Sequence, residues 1–415
     1  MRSLIGAGLV LLAVVALAAE AAVKSPPRPD TRAISARIDA LVQADLARHN
    51  VKPNPPAGDE VFLRRIYLDA IGRIPTVDEA IAFLHSTEPD KRRRLIDQLL
   101  DSPGYVSRQY NYWADVLRAK SRLRQGSGLP YIQFIKQSLA ANKPYDQFVR
   151  ELLTAEGPSH ARDNGATGYY LRDFNMPEDN MSNTVQVFLG TQMVCAQCHD
   201  HPFDKWTQLE FFEMAAFTGG TQTRYNQAYK SPMFARVRQV MGAEADDREM
   251  KRAVGKFTEV LRYGVEGSGT GLSRLPKDYQ YDDAKPLEVV KAHVMFGQQP
   301  TLSYPEPAKA KPQKSSRSKK YGRSSAKSID SRKTYAQWMT SPDNPRFAQV
   351  VANRLWKQAM GRGVVEPVDD LSDSTKPANP ELMAYLQGQM VALGYDMKQY
   401  LRAIYNSKTY QRRAT

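Results

Sequence analysis

Apolar residues recur at helical spacing through most of the chain, and this pattern constrains the fold more than any other feature. In DEVFLRRIYLDAIGRIPTVDEAIAFL, residues 59–84, apolar side chains fall on one helical face, and Gly72 can end that helix. Thr76 and Glu79 form a capping box for the next helix, because each side chain can accept a bond from a free backbone N–H. Further start signals stand at Ser102-Pro103 and Asn379-Pro380. The sequence therefore predicts a mainly α fold.

Around the middle of the chain, the same reasoning separates a loop from two helices. Residues 157–180 are rich in Gly, Asp and Asn and are predicted to be a loop. A helix from about Ser182 to Met193 would then deliver the chain directly into Cys195. TQLEFFEMAAFTGG, residues 207–220, predicts the following helix, which two glycines end.

The N-terminus has the three parts of a secretory signal peptide. Arg2 gives a positive region, Leu4 to Leu17 an apolar region, and Ala19-Glu20-Ala21 a small-residue cleavage site, with Ala16-Leu17-Ala18 as the alternative. The apolar stretch is short for a helix that spans a bilayer. We therefore expect an exported protein, periplasmic or otherwise outside the cytoplasm, that has lost residues 1–21.

Most of the positive charge lies in one segment. The formal charge is +14, but residues 307–333 hold ten Lys or Arg against the single Asp330. The rest of the chain is close to an ordinary balance, so nucleic acid is not the expected partner. A Lys-, Ser- and Pro-rich segment cannot bury enough apolar surface to fold. It predicts a basic disordered linker, which could also tether the protein to an anionic envelope surface.

The only two cysteines stand in TQMVCAQCHDHPFDKW, residues 191–206, as a C-x-x-C-H motif. This is the attachment signature of c-type haem, in which two thioethers hold the porphyrin and the histidine binds its iron. Haem is attached in this way outside the cytoplasm, which agrees with the signal peptide. The sequence favours Cys195 and Cys198 as attachment sites and His199 as the proximal iron ligand.

Three alternatives to haem also fit the two cysteines. Cys195 and Cys198 could form a disulfide, or they could be a redox-active thiol pair. With His199 and His201 they could also bind zinc, although four ligands within seven residues crowd a single shell. A disulfide or a metal site would belong to an alternative function, a non-enzymatic cell-envelope interaction module.

The rest of a haem site is less defined. Pro202, Phe203 and Trp206 could wall the macrocycle or belong to the core. The sequence does not choose a sixth iron ligand; Met214, Met233, Met241, His293 or another residue could serve. A methionine or histidine in that position would favour electron transfer with a redox partner protein.

No other stretch of sequence indicates catalysis. There is no Ser-His-Asp order, phosphate-binding glycine loop or H-E-x-x-H, so no catalytic residue is assigned. EPVDDLSDS, residues 366–374, gathers four carboxylates, and its spacing is not that of an EF-hand. We expect ion pairs, with Asn353 and Arg354 as candidate partners, or solvated carboxylates rather than calcium. The four are Glu366, Asp369, Asp370 and Asp373.

Two sets of segments resemble known families. FLRRIYLDAIGRIPTVDEAIAFL, KRRRLIDQLLDSPGY and VCAQCHDHPFDKWTQLEFFEMAAF resemble the planctomycete cytochrome-associated family, domain of unknown function 1549. The stretch from SPDNPRFAQVVANRLW to AIYNSKTYQ, residues 341–411, is similar to its companion, domain of unknown function 1553. The resemblance implies an exported bacterial protein and supplies no activity. By position, Cys195, Cys198 and His199 match the family's cytochrome-like motif, and residues 200–206 complete its signature.

The sequence and this resemblance together predict two helical domains joined by the basic linker. The separate N-terminal cytochrome module of many relatives is missing from this sequence, so the motif would be the only haem site. The predicted parts are a signal peptide at 1–21, a helical cytochrome-like domain at 35–220, a mixed segment at 221–306, the linker at 307–333 and a second, apparently truncated helical domain at 334–415.

Overall fold

The mainly α prediction is confirmed. The computed structural model describes residues 29–224, 263–304 and 330–414, except positions 125, 162, 175, 268 and 303, and only isolated positions between 224 and 263. These residues form 14 α-helices. They are α1 (Thr31–Arg48), α2 (Asp59–Ile71), α3 (Val77–His85), α4 (Lys91–Leu100), α5 (Pro103–Val116), α6 (Leu129–Ala140), α7 (Tyr145–Thr154), α8 (Gly168–Leu171), α9 (Pro177–Leu189), α10 (Gln208–Ala215), α11 (Ser331–Met339), α12 (Phe347–Met360), α13 (Pro380–Ala392) and α14 (Met397–Tyr405).

The predicted caps form as the sequence requires. Gly72 ends α2 at φ +76°, in the left-handed region that a glycine enters without strain. Thr76 and Glu79 make both bonds of the capping box. The Arg73 guanidinium lowers the pKa of Glu79 to about 2, so the carboxylate that completes the box stays ionised. The side chains of Ser102 and Asn379 cap α5 and α13.

Short strands replace part of the mixed segment and of the predicted 157–180 loop. The strands are β1 (Arg122–Leu123), β2 (Gly126–Ser127), β3 (Gly157–Pro158), β4 (Gln222–Arg224), β5 (Tyr263–Glu266), β6 (Leu272–Arg274) and β7 (Val289–Lys291). They pair antiparallel as β1-β2, β3-β5-β4 and β6-β7. The loop prediction was wrong at 168–171, which form α8, and from Pro177, which begins α9. Burial decides this, since Tyr169 and Tyr170 of α8 lie in the core.

The helices of the two predicted domains share one hydrophobic core. One continuous cluster of buried side chains includes residues from Ile34 in α1 to Tyr410 after α14. The Tyr145 ring of α7 lies 5.4 Å from the Phe347 ring of α12, centre to centre. Ser35 of α1 donates to the Ala403 carbonyl of α14 at 2.7 Å. The amphipathic faces of each segment are therefore covered by helices of the other.

The second segment begins earlier than the sequence predicts. Helix α11 starts at Ser331, so the last residues of the predicted linker, 331–333, are helical. The Arg332 side chain is completely buried, and its Nη1 donates to the Ala155 carbonyl at 3.0 Å. Its guanidinium also lies 5.7 Å from the centre of the Tyr170 ring. Arg332 is thus a core residue and no part of a solvated linker.

The other terminal and linker predictions lie outside the described residues. These are the signal peptide at 1–21 and positions 307–329 of the linker. Within the described parts of the chain, no helix combines the length and the apolar character needed to cross a membrane.

A shared core predicts that both segments unfold together. Ile38 lies on the fully buried face of α1. We expect Ile38→Ala to lower the free energy of unfolding by about 2 to 5 kcal/mol, because the lost side chain leaves a cavity. In denaturant titrations of the natural protein and of Ile38→Ala, circular dichroism and tryptophan fluorescence should each report a single transition, and the two transitions should coincide.

The matched control is Val77→Ala, since that side chain is exposed. It should change the free energy of unfolding by no more than about 0.5 kcal/mol. Two separate transitions, with only the first shifted by Ile38→Ala, would contradict the shared core.

Candidate functional site

The sequence predicted a helix that runs directly into Cys195, and this prediction was wrong. Helix α9 runs from Pro177 to Leu189, and Gly190 ends it at φ +60°. Residues 191–194 then lead into a short 3-10 helix, Cys195–Gln197. Pro177 fixes the earlier start, because proline is well suited to the first turn of a helix. The left-handed glycine fixes the earlier end.

The two cysteines and the histidine lie on one tight turn. The N–H groups of Cys198 and His199 both donate to the Cys195 carbonyl, at 3.2 and 3.3 Å. Both thiols are free; Cys195 is partly buried, and Cys198 is exposed. The His199 ring is exposed as well. The structure therefore brings the three predicted residues together and presents two of them to solvent.

Hydrogen bonds distinguish the two histidines. Nδ1 of His199 lies 2.7 Å from the Asp200 carbonyl oxygen. A carbonyl only accepts, so Nδ1 carries the proton in this contact, and the neutral ring keeps its lone pair on Nε2. In His201 the roles are reversed, because Nδ1 accepts the Phe203 N–H at 3.2 Å. His199 thus has the tautomer of a metal-bound histidine whose second nitrogen is held by a carbonyl.

Polar residues that no sequence motif indicated hold the turn. Gln197 Nε2 donates to the Ser182 hydroxyl of α9 at 2.6 Å. Gln208 of α10 donates from Nε2 to the Gln197 carbonyl at 3.1 Å. Its backbone N–H donates to Asp200 Oδ1 at 2.8 Å. A local signal for this support does exist in the capping box that Thr207 forms with Glu210 at the start of α10.

Asp200 also connects the turn to the segment between the two predicted domains. Its N–H donates to the Tyr281 hydroxyl at 2.7 Å. The sequence could not predict this hydrogen bond, because 81 residues separate the two partners and no pattern links them.

Of the residues predicted to line a haem, one is buried in the core and two are exposed. Trp206 is only 5% exposed and belongs to the core, although its Nε1–H has no hydrogen-bond partner among the described residues. Phe203 is 93% exposed, and Val194, on the other side of the motif, is 57% exposed. Pro202 is exposed too. Exposed apolar side chains therefore stand before and after the motif along the chain.

The described candidates for a sixth ligand are engaged elsewhere. Met214 lies in the core. His293 Nδ1 lies 3.7 Å from Glu213 Oε2 and 3.3 Å from the Gln299 amide nitrogen. Burial raises the pKa of Glu213, although His293 opposes that rise. Met233 and Met241 lie outside the described residues.

The turn offers two thiols and one oriented imidazole as donor groups. Within the described ranges, no group of three or more His, Cys, Asp and Glu side chains could hold a metal ion. The zinc alternative requires Cys195, Cys198, His199 and His201 to converge on one ion. All four are among the described residues, and they form no such group. Covalent haem attachment uses two thiols and one imidazole; Cys195, Cys198 and His199 are the matching groups, and Cys195 is partly buried.

The arrangement defines a mainly helical protein that presents a C-x-x-C-H turn on its surface. Residues 37–223 match PSCyt2, a protein of unknown function (DUF1549), and residues 331–415 match PSD1, a protein of unknown function (DUF1553). The chain therefore contains a PSCyt2 domain followed by a PSD1 domain. Searches of curated proteins and of solved structures returned no match.

Unequal exposure predicts unequal thiol reactivity. In the full chain produced without haem, iodoacetamide should modify Cys198 faster than Cys195, because Cys195 is partly covered. Mass spectrometry of timed digests measures both rates. In Cys198→Ser, Cys195 should keep its slow rate. Equal rates, or a faster Cys195, would contradict the geometry of the turn.

Proposed function

We propose that the protein is an exported c-type haem-binding protein that transfers electrons. One observation carries the proposal, namely the short contact between His199 Nδ1 and the Asp200 carbonyl. It orients the imidazole and leaves Nε2 available beside two free thiols on the same turn. The description of the N-terminal domain as PSCyt2 agrees with a cytochrome association.

Each residue has a separate part in this proposal. Cys195 and Cys198 would hold the haem as thioethers, and His199 Nε2 would be the proximal iron ligand. When bound, haem supplies reversible one-electron chemistry. Phe203 and Val194 would cover its apolar faces, which is consistent with their exposure. A redox partner protein would complete the electron transfer.

The alternative function is a non-enzymatic cell-envelope interaction module. Its supporting observation is that Cys195 and Cys198 share one turn, where both thiols are free to form a disulfide. Haem and disulfide use the same two sulfurs, so a single molecule cannot contain both. This exclusion makes the two candidates separable by mass.

Intact mass spectrometry of the protein recovered from the periplasm of cells with c-type haem maturation tests the proposal. We expect a chain that begins near residues 19–22 and carries the added mass of one haem, with peroxidase staining after denaturing electrophoresis. Cys195→Ser with Cys198→Ser should remove the haem and leave the N-terminus unchanged.

The other outcomes are equally definite. A chain two hydrogens lighter than its amino-acid mass, without haem, would support the disulfide and remove the haem proposal. Retention of residues 1–21 would contradict cleavage during export.

We also propose that the basic linker is an electrostatic tether to an anionic envelope surface. Its eight Lys and Arg between positions 307 and 329 are the relevant charges, since Arg332 is buried in the core. Attraction of this kind falls as salt screens it.

Replacing those eight residues with Gln tests the tether. The natural protein should bind vesicles that contain phosphatidylglycerol, and added salt should release it. The variant should stay unbound at the same ionic strength, and neutral vesicles are the control in co-sedimentation. Undiminished binding of the variant would show that the linker is a passive spacer.

A further inference from the structure

Both ends of the loop that carries the cysteine motif are attached to one short stretch of the PSD1 segment. At the start of the loop, the Leu371 N–H donates to the Gly190 carbonyl at 2.6 Å. At the end, Lys205 Nζ lies 2.6 Å from Asp373 Oδ2. Residues 190–205 therefore form a loop that Leu371 and Asp373, two positions apart, close at its neck.

The attachment at Gly190 is tightly packed. A Cβ atom added there would lie 2.9 Å from Val350 Cγ2 and 3.0 Å from Leu371 Cδ1. The φ of +60° independently disfavours any other residue. One turn earlier on α9, Gln186 donates to Asp369 Oδ2 at 3.3 Å. The PSD1 segment thus fixes the place where α9 ends and the loop begins.

The attachment at Lys205 is electrostatic. The Lys205 ammonium lowers the pKa of Asp373. Burial lowers the pKa of Arg346, and attraction by the carboxylates of Asp373 and Asp204 offsets part of that lowering. Lys205 of the loop and Asp373 of the PSD1 segment thus form an ion pair that joins the two parts.

We infer that Leu371 and Asp373 are positioning residues of the cysteine motif, so that the PSD1 segment is a structural part of this site. The inference is independent of haem, because it concerns where the turn is held and not what the sulfurs bind. Both residues act through the ends of the loop rather than through the thiols.

The two attachments differ in strength. The Leu371–Gly190 hydrogen bond lies among buried side chains, where an unmade bond is costly. Lys205 and Asp373 have side chains 55% and 66% exposed, and solvent screens such a pair. Disturbing Gly190 should therefore affect the turn more than disturbing the ion pair.

Native-state alkylation of the full chain without haem tests the inference. We expect Gly190→Ala to change the Cys195 and Cys198 rates severalfold, because the added methyl displaces the loop from Val350 and Leu371. The matched control is Gly388→Ala in α13, since an added Cβ there meets no other described residue within 4 Å outside its own stretch of helix. The control should keep both rates.

A charge swap keeps the test informative if Gly190→Ala does not fold. Asp373→Lys should alter the Cys198 rate, and Lys205→Asp in the same chain should restore it by re-forming the pair in reverse. Circular dichroism at the assay temperature shows that each variant is folded. General destabilisation would give no rescue by the second substitution.

Two results would overturn the inference. One is a folded Gly190→Ala protein with natural rates at both cysteines. The other is a single Asp373→Lys variant that behaves like the natural protein. Either result leaves the haem proposal standing, and absence of haem leaves this inference standing.

Discussion

The contact between the two helical segments is the interaction on which the rest of the structure depends. Tyr145 illustrates it, since its ring lies 5.4 Å from Phe347 and 5.1 Å from Trp113. Aromatic side chains of this size bury a large apolar area, so neither segment could expose this face at low cost. Helix α12 is buried along most of its length and packs against α9. The helix that precedes the cysteine motif is therefore held by the C-terminal segment.

At the cysteine motif, the residues that support the turn differ from those that it exposes to solvent. The turn at Cys195 is a 3-10 helix of three residues and cannot hold itself in place. Polar side chains of Ser182 in α9 and Gln208 in α10 hold it through hydrogen bonds to Gln197. Cys198 and His199 are exposed on its outer side. A surface turn on a packed base suits a group that must be reached from solvent.

Charge is also distributed by location. Two carboxylates of the acidic stretch at 366–374 form ion pairs. Glu366 pairs with Lys357 at 2.9 Å, and Asp373 pairs with Lys205. The prediction of ion pairs is confirmed for these two carboxylates. Asn353, a predicted partner, bonds the Val365 backbone instead. The charge of the linker is concentrated in one stretch of sequence, which makes it the chain's candidate for long-range attraction.

The sequence alone determined the helical class, several helix caps and the identity of the motif. Gly72, the Thr76–Glu79 box and Asn379-Pro380 succeeded because caps depend on neighbours within one turn. The C-x-x-C-H spacing likewise identified Cys195, Cys198 and His199 as one motif, and the structure places them on one turn. Such features need no knowledge of distant residues.

Tertiary structure alone decided how the parts fit together. It placed Arg332 in the core, packed Gly190 against Val350 and Leu371, and joined Asp200 to Tyr281. It also joined helices of both predicted domains in one cluster of buried side chains, because apolar faces of each segment are covered by the other. These outcomes rest on contacts between residues far apart in the chain. Local periodicity shows that a face must be buried, but it does not show what will bury it.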